Sequence, residues 1–557
     1  MLPGPSCLPV IGQSSSRRAG VIGMIAAALT TLPGLGAGTL WDNSETAYGE
    51  VAREILLTGD PVVMHFNGAP WFVQPPLYFW AAALLAKLVG MSALALRLPA
   101  AFATIAMGAI VGLCAGRLAN SRVAIFASVI LSTSLMQAVL GRLAIMDAML
   151  DLAVTLTILA LFVSFRNGRE RYWYAAWIAA ALGFITKGPV ALVIPFLVVG
   201  AWVLWERRCG GTIVVPTLRA RIVGALLFFG IAAPWFAFIA HACGLGALSE
   251  LLGHYTVGRY LGTIENQNGP VWYYVPAVIL GFFPWSAFLV PSLISGRQAM
   301  KMRADASPGE QFNRLCLAWA IVPFAFFSLA QTKLPNYIAL EFPALAFLTA
   351  LWLDEAVDRD DRRALLGWAG LVPVTIGAMG IAIGVFARRN RLLGDMQAVL
   401  GDLTMLGLLF LTGSIICMIF LSLKRSAELG PLALAATSLG AMLVIALIEP
   451  HVEHFKPIPT LARVIERDRE PGDTVAIWGV AGANALVFYT RPPVAQFSPP
   501  FEARDVRARI CEATRLLLVT SPGRASLVAS YDRRRRMLAA FGKDALYLYD
   551  GPPCRKF

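Results

Sequence analysis

Leu40-Trp41-Asp42-Asn43-Ser44-Glu45-Thr46-Ala47-Tyr48-Gly49-Glu50 opens, and Trp71-Phe72-Val73-Gln74-Pro75-Pro76 closes, the stretch on which the reading of this chain turns. It is a polar, acidic, aromatic-bearing loop that follows the first membrane-length apolar run. Loops longer than about 15 residues inside compact proteins are usually functional or disordered. Disorder fits poorly, because Glu45 to Leu57 has helical spacing and the remainder is rich in Trp, Phe and Pro. We read the stretch as one half of an active site at a membrane surface.

Working outward, the composition supplies the membrane. Apolar residues make up 57% of the chain and charged ones 15%, with a mean hydropathy of +0.65. A soluble protein of this size cannot bury that much apolar side chain, so the fold class is a polytopic α-helical membrane protein. A net charge of +13 would suggest nucleic acid in a soluble protein. Here Lys and Arg cluster in short loops between apolar runs, as the positive-inside rule requires. No basic stripe with interleaved aromatics appears, so no nucleic-acid partner is expected. The eight cysteines show no metal-type spacing. Cys511 and Cys554 fall in the polar tail and could pair if that tail is extracytoplasmic.

Arg17 and Arg18 assign residues 1–18 to the cytoplasm and precede a first span at 19–38. The run 76–90 is too short for the roughly 20 residues a crossing needs, and is assigned as an interfacial or re-entrant helix on the outer side. Further spans follow at 98–116, 123–141, 147–165, 172–186, 189–205, 221–241, 272–292, 315–331, 337–353, 364–386, 402–422 and 431–448. Six basic loops then fall inside, while the cluster Arg388-Arg389-Asn390-Arg391 falls outside and breaks the rule. Thirteen spans, an odd number, put the C-terminal tail outside. The expected organisation is a transmembrane domain at 19–450 with outer loops 39–97 and 242–271, then a periplasmic α/β domain at 456–557. Within that tail, Thr474–Trp478, Ala485–Tyr489, Leu516–Thr520 and Ala545–Tyr549 read as strands, with helices near 502–513 and 525–540. This alternation favours a small α/β domain. It holds no Gly-rich nucleotide loop, so its expected role is docking or structural.

The topology gathers polar residues on one face: Asp42, Ser44, Glu45, His65 and Gln74, then Arg142 and Asp147, Lys187, His254, Tyr255 and Arg259, and finally Lys333 and Tyr337. Ionisable residues at span ends are functional candidates. The bland reading is solvated loop charges or snorkelling stems. Recurrence at five outer turns favours the former. Carboxylates mixed with cations beside apolar walls suit transfer from a lipid phosphate, where cations neutralise the leaving group and a carboxylate takes the acceptor's proton. Outside the cytoplasm no nucleotide sugar is available, so an activated donor there is lipid-borne.

Several pieces resemble the polyprenyl-phosphate-dependent glycosyltransferases of the GT-C fold, in particular the aminoarabinose transferase and protein O-mannosyltransferase group. They are Trp41…Glu45-Thr46-Ala47-Tyr48-Gly49-Glu50, Phe72-Val73-Gln74-Pro75-Pro76, Gly141-Arg142…Asp147, Thr186-Lys187-Gly188-Pro189, Trp272-Tyr273-Tyr274 and Lys333-Leu334-Pro335-Asn336-Tyr337. Their order and spacing cover roughly residues 20–350. The resemblance implies about 13 transmembrane helices and an outer α/β domain. It also implies an inverting transfer from a polyprenyl-phosphate-linked sugar donor to an envelope lipid, glycan or protein acceptor, on the periplasmic face of a bacterial inner membrane. On that resemblance Asp147 is the second acidic position. Lys187, Arg259 and Lys333 meet the lipid phosphate, and Ser44, Tyr48, Gln74, His254, Tyr255 and Tyr337 line the substrate cavity. A monomer is expected.

Two departures stand out. The family usually has Asp-Glu where this chain has Ser44-Glu45, which leaves Asp42 or Glu45, helped by Asp147, to act as the catalytic carboxylate. It usually has Phe-Glu-Lys-Pro where this chain has Phe72-Val73-Gln74-Pro75, and losing that Glu points to a neutral donor sugar. No cofactor is required by the reading. A divalent metal at Glu45, His65 and Asp147 stays open, since those residues lack local ligand spacing. Two other classes also remain: a lipid or solute transporter, disfavoured by span interiors almost free of charge, and a non-catalytic glycolipid-binding paralogue, favoured by the Ser44 and Gln74 departures.

Overall fold

The computed structural model describes residues 13–41, 43–263, 267–298, 307–389, 397–423, 427–453, 456–490, 492–497, 503–528 and 534–550. It divides into two compact units. The first comprises Met1–Leu35, Phe72–Tyr78 and Arg97–Ile448, and the second Gly36–Trp71, Phe79–Leu96 and Glu449–Phe557.

The chain opens with the helices α1 (Gln13–Thr31), α2 (Ser44–Thr58), α3 (Leu77–Val89), α4 (Ala93–Leu118), α5 (Ser121–Thr133), α6 (Leu135–Leu140), α7 (Asp147–Asn167), α8 (Glu170–Lys187), α9 (Val190–Arg208) and α10 (Leu218–Cys243), followed by further helices to Glu453; each expected span falls on helix, although α1 begins and ends six to seven residues before the expected 19–38. Among the described residues nine helices are long and apolar enough to cross a bilayer, and this is a multi-pass membrane protein. A tenth crossing arises if Val271–Gly281 and Trp285–Arg297, bent at 113° to each other, count as one. The other three expected segments (α1, α5 with α6, and α8) are helical but shorter or less apolar. α3 has 13 residues and is too short to cross, as the run 76–90 suggested.

Small residues set how two of these helices meet. Gly108, Gly112 and Gly116 recur every four residues along α4. A Cβ at Gly112 would lie 2.5 Å from the Ala19 carbonyl oxygen, and one at Gly108 would lie 2.6 Å from that of Gly23. Ser16 Oγ donates to the Leu113 carbonyl at 2.8 Å across the same seam. In lipid there is no water to drive helices together, so close backbone approach and interhelical hydrogen bonds do it instead.

The second unit joins the opening loop to the polar tail. A short hairpin, β1 (His65–Phe66) with β2 (Ala69–Pro70), belongs to the loop. The tail holds a five-stranded sheet of β3 (Thr474–Trp478), β4 (Val494–Phe497), β5 (Arg515–Thr520), β6 (Arg534–Phe541) and β7 (Asp544–Asp550), in the order β4-β3-β5-β7-β6. The pairs β3/β4 and β3/β5 are parallel, and β5/β7 and β6/β7 are antiparallel. Leu517 and Val519 pack on one face with Ile458, Leu461 and Ile465, while Leu516 and Leu518 pack on the other with Val506 and Ile510. Burial on both faces explains why β5 reads as an unbroken apolar run.

Two expectations for the tail are corrected. Ala485–Tyr489 is not a strand but part of the helix Ala483–Tyr489, because a five-residue apolar run carries no decisive period. The second half of 525–540 is the edge strand β6 rather than helix. Its arginines are the kind of residue that keeps an edge from pairing with another chain. Cys511 is engaged in a disulfide, and Cys554, with which the sequence left a pairing open, lies outside the described residues.

Candidate active site

α7 and α8 are joined by Gly168-Arg169 and pack side by side. The first residue of α7, Asp147, therefore meets the last residue of α8, Lys187. Both charges suit the helix end they occupy, a carboxylate at an N-terminus and an ammonium at a C-terminus. Lys187 Nζ lies 2.5 Å from Asp147 Oδ1, with side chains only 15% and 9% exposed. Gly188, at φ +76°, takes a backbone conformation that side chains rarely tolerate, which permits the sharp exit from α8 into Pro189 and α9.

A second donor reaches the same carboxylate oxygen: Asn336 Nδ2, at 2.6 Å. Asn336 lies in the 3-10 helix Pro335–Glu341, which leads into the helix Phe342–Asp358, and its neighbour Tyr337 presents its ring 5.0 Å below the Lys187 ammonium. Arg259 Nη1 donates to the Tyr337 hydroxyl at 3.4 Å, and its guanidinium stands 6.0 Å over the Tyr255 ring. Tyr255 belongs to a wide-turn helix, Ser249–Gly258, that runs into Arg259. Backbone hydrogen bonds from Gln331 to the Tyr260 carbonyl, 3.0 Å, and from Thr332 to that of Arg259, 3.1 Å, clamp this segment to the stretch that leads to Tyr337.

These groups surround one cavity of about 340 Å³, built from the first unit. Its walls are largely apolar, with Leu150, Val190, Val193, Phe326 and Leu340 among them, and its charged lining is Asp147, Asp151, Lys187 and Arg259. An apolar chamber with a few convergent polar groups is the usual form of a small-molecule or lipid site.

Of the residues singled out from the sequence, Asp147, Lys187, Arg259, Gln74, Tyr255 and Tyr337 line this cavity together. Lys333 does not. Its ammonium donates to the carbonyls of Ser328, at 2.9 Å, and Ala330, closing off the end of the Pro308–Leu329 helix, and burial holds it below its ordinary range. His254 is exposed and rests edge-on against Tyr255 instead of lining the chamber. Arg142 also has a structural task, donating to the carbonyls of Thr30, Thr31 and Pro33 at the end of α1. Ser44, Glu45 and Tyr48 belong to the second unit. There Ser44 opens α2, Glu45 accepts from the Trp41 amide at 2.7 Å, and Tyr48 packs edge-on against Trp71 and Phe79. Asp42 lies outside the described residues. Among the described residues no group of three or more His, Cys, Asp or Glu side chains is placed to hold a metal ion.

Asp151 and Asn336 are among the lining residues the sequence reading missed as site residues. Asn336 was visible only as part of a turn. Asp151 had a signal of its own, since a spacing of four from Asp147 puts both carboxyls on one helical face.

Comparison with known proteins agrees with the resemblance read from the motifs. Residues 73–238 match a family model described as dolichyl-phosphate-mannose-protein mannosyltransferase. An undecaprenyl phosphate-alpha-4-amino-4-deoxy-L-arabinose arabinosyl transferase of Pectobacterium carotovorum is 32% identical over 65% of this chain and 64% of its own length. The protein of that name from Edwardsiella ictaluri is 31% identical over 62% and 60%. One from Pseudomonas fluorescens is 28% identical over 84% and 83%. The chain thus spans about three-fifths of the length of the first curated relatives it matches. The crystal structure of ArnT from Cupriavidus metallidurans bound to undecaprenyl phosphate superposes with a TM-score of 0.80, at 21% identity, over 96% of this chain and 98% of that one. The two chains share a fold.

Proposed function

We propose that this chain is an inner-membrane glycosyltransferase that moves a sugar from a polyprenyl-phosphate donor to an acceptor hydroxyl or phosphate of the envelope, on the periplasmic side and with inversion. The observation that carries the reading is the placement of Lys187 and Arg259 on one apolar cavity, joined through Tyr337. The relatives' named donor, an undecaprenyl-phosphate sugar, has the two features such a chamber fits, an anionic phosphate and a long apolar tail. In the reaction an acceptor oxygen attacks the anomeric carbon. The bond from that carbon to the phosphate oxygen breaks, and the lipid phosphate leaves with the electron pair. Lys187 and Arg259 stabilise the charge that develops on it. Where the acceptor is a hydroxyl, its proton is released to water, while Asp147 holds Lys187 in place.

Arg259→Ala tests this. In detergent, with an undecaprenyl-phosphate-linked sugar as donor and a lipid A-type acceptor, transfer should fall about 100-fold or more, the loss typical when one preorganised donor to a developing charge is removed. The variant should insert and fold normally, because Arg259 lies beside the cavity and is only half-buried. Undiminished transfer would remove the site assignment.

A further inference from the structure

Of the four charged side chains that line the cavity among the described residues, three have tasks in the reading above and Asp151 has none. It lies one turn along α7 from Asp147, about 6 Å further from the helix start, and is 2% exposed. Asp147 receives both Lys187 and Asn336. Asp151 Oδ2, by contrast, has no hydrogen-bond partner among the described residues. Burying a carboxyl with a lone pair unmet is costly, and a native structure keeps such a group only where something supplies the missing bond. A resident water needs two to four polar partners, and the charged neighbours Asp147 and Lys187 are already bonded to each other, Asp147 to Asn336 as well. The missing donor is therefore sought in the ligand.

The geometry points to Asp151 as a sugar-recognition residue, its carboxyl accepting a hydrogen bond from a hydroxyl or an amine of the sugar on the lipid phosphate. With the phosphate at Lys187 and Arg259, Asp151 is a further polar group on the wall of the same cavity, open to the sugar that the phosphate carries. This inference rests on the donor reading proposed above. It assigns the sugar a fixed contact inside an otherwise greasy chamber, and removing such a contact discriminates strongly because a buried polar group is left unpaired.

The test is equilibrium binding in detergent of three lipids: undecaprenyl phosphate, the same lipid carrying 4-amino-4-deoxy-L-arabinose, and the same lipid carrying mannose. The wild-type chain should bind one of the glycosylated lipids more tightly than the bare one. Asp151→Leu should bind that lipid about 10- to 100-fold more weakly, the loss of one buried hydrogen bond, and keep its affinity for undecaprenyl phosphate within about twofold. Asp151→Asn retains an acceptor oxygen, so it restores binding where a hydroxyl is recognised and fails where an ammonium is. Either pattern supports the assignment. Thermal unfolding gives a second readout. Asp151→Leu exchanges an unmet carboxyl for an apolar side chain and should melt at or above the wild type. Equal weakening toward bare and glycosylated lipids, unchanged binding of the glycosylated lipid, or a marked drop in melting temperature would each overturn the proposal. A wild-type chain that binds none of the three lipids would instead overturn the donor reading beneath it.

Discussion

Asp147 holds an ammonium and an amide on a single oxygen, and that limits what it can do. A carboxylate so engaged is a positioner of Lys187. Both partners are buried, so removing one strands the other's charge at a cost of about 3–5 kcal/mol, whereas replacing both with neutral groups can be nearly neutral. Asp147→Asn should therefore lower stability by about 3 kcal/mol or more and abolish transfer. Asp147→Asn combined with Lys187→Met should recover most of the stability and none of the transfer. Thermal unfolding and a transfer assay on both variants would check this, and a double variant as unstable as the single one would refute the coupling. The same scale shows what was legible in the sequence. Asp147, Lys187, Arg259 and Tyr337 announce themselves because charge or a phenol at the end of an apolar run is costly unless used. Asp151 was hidden inside such a run. Lys333 was visible as a residue but not as a role, since the unfilled carbonyls of a helix end compete for the same ammonium.

Elements were the most readable level in the membrane and the least in the tail. A bilayer demands about 20 consecutive apolar residues with every backbone group bonded within its helix, so α7, α9 and α10 begin and end within three residues of the expected limits. The tail imposes no such length, and a strand and a short helix of five apolar residues look alike, as Ala485–Tyr489 showed. What periodicity could not give is how the membrane helices pack, because that is written in the small residues. The α1/α4 seam makes this testable. Gly112→Ala puts a Cβ 2.5 Å from a carbonyl oxygen with no flexible side chain to yield. Overpacking of that kind costs about 1–3 kcal/mol. Gly200, in the α9 helix, has nothing within 4 Å of the corresponding position. Gly200→Ala should then gain up to about 1 kcal/mol from helix propensity. Melting temperatures in one detergent should move in opposite directions, and a drop of equal size in both would mean that the seam has no special tightness.

At the scale of the whole molecule, segments hundreds of residues apart in sequence fold into one unit, and Arg53 shows how. From α2 in the opening loop its guanidinium donates to the carbonyls of Phe488 at 2.8 Å, and of Val487 and Thr490 at 3.2 Å each, all at the end of the tail helix Ala483–Tyr489. It also stands 2.6 Å from Glu50 on its own helix. Lys456 and Tyr489 repeat the pattern, donating to the Thr39 carbonyl at 3.0 Å and receiving the Leu40 amide at 2.7 Å. The tail thus does structural work on the segment from which the sequence reading began. Glu50 makes that work depend on pH. Burial pushes its carboxyl up to about 7 from an ordinary 4.5, and the charge of Arg53 opposes the rise. Between those values the folded form holds a proton that the unfolded form has lost, so this group's contribution to stability falls as pH rises and reaches its full penalty above 7. Arg53→Ala removes the opposing charge and the three carbonyl contacts together. Above pH 7 both losses count. Below pH 4.5 Glu50 is neutral in either state and only the carbonyl contacts are missed. The melting temperature of Arg53→Ala should therefore fall further below that of the wild type at pH 8 than at pH 4.5. Glu50→Gln added to Arg53→Ala should flatten that difference. A deficit independent of pH would mean that Arg53 acts through its carbonyl contacts alone.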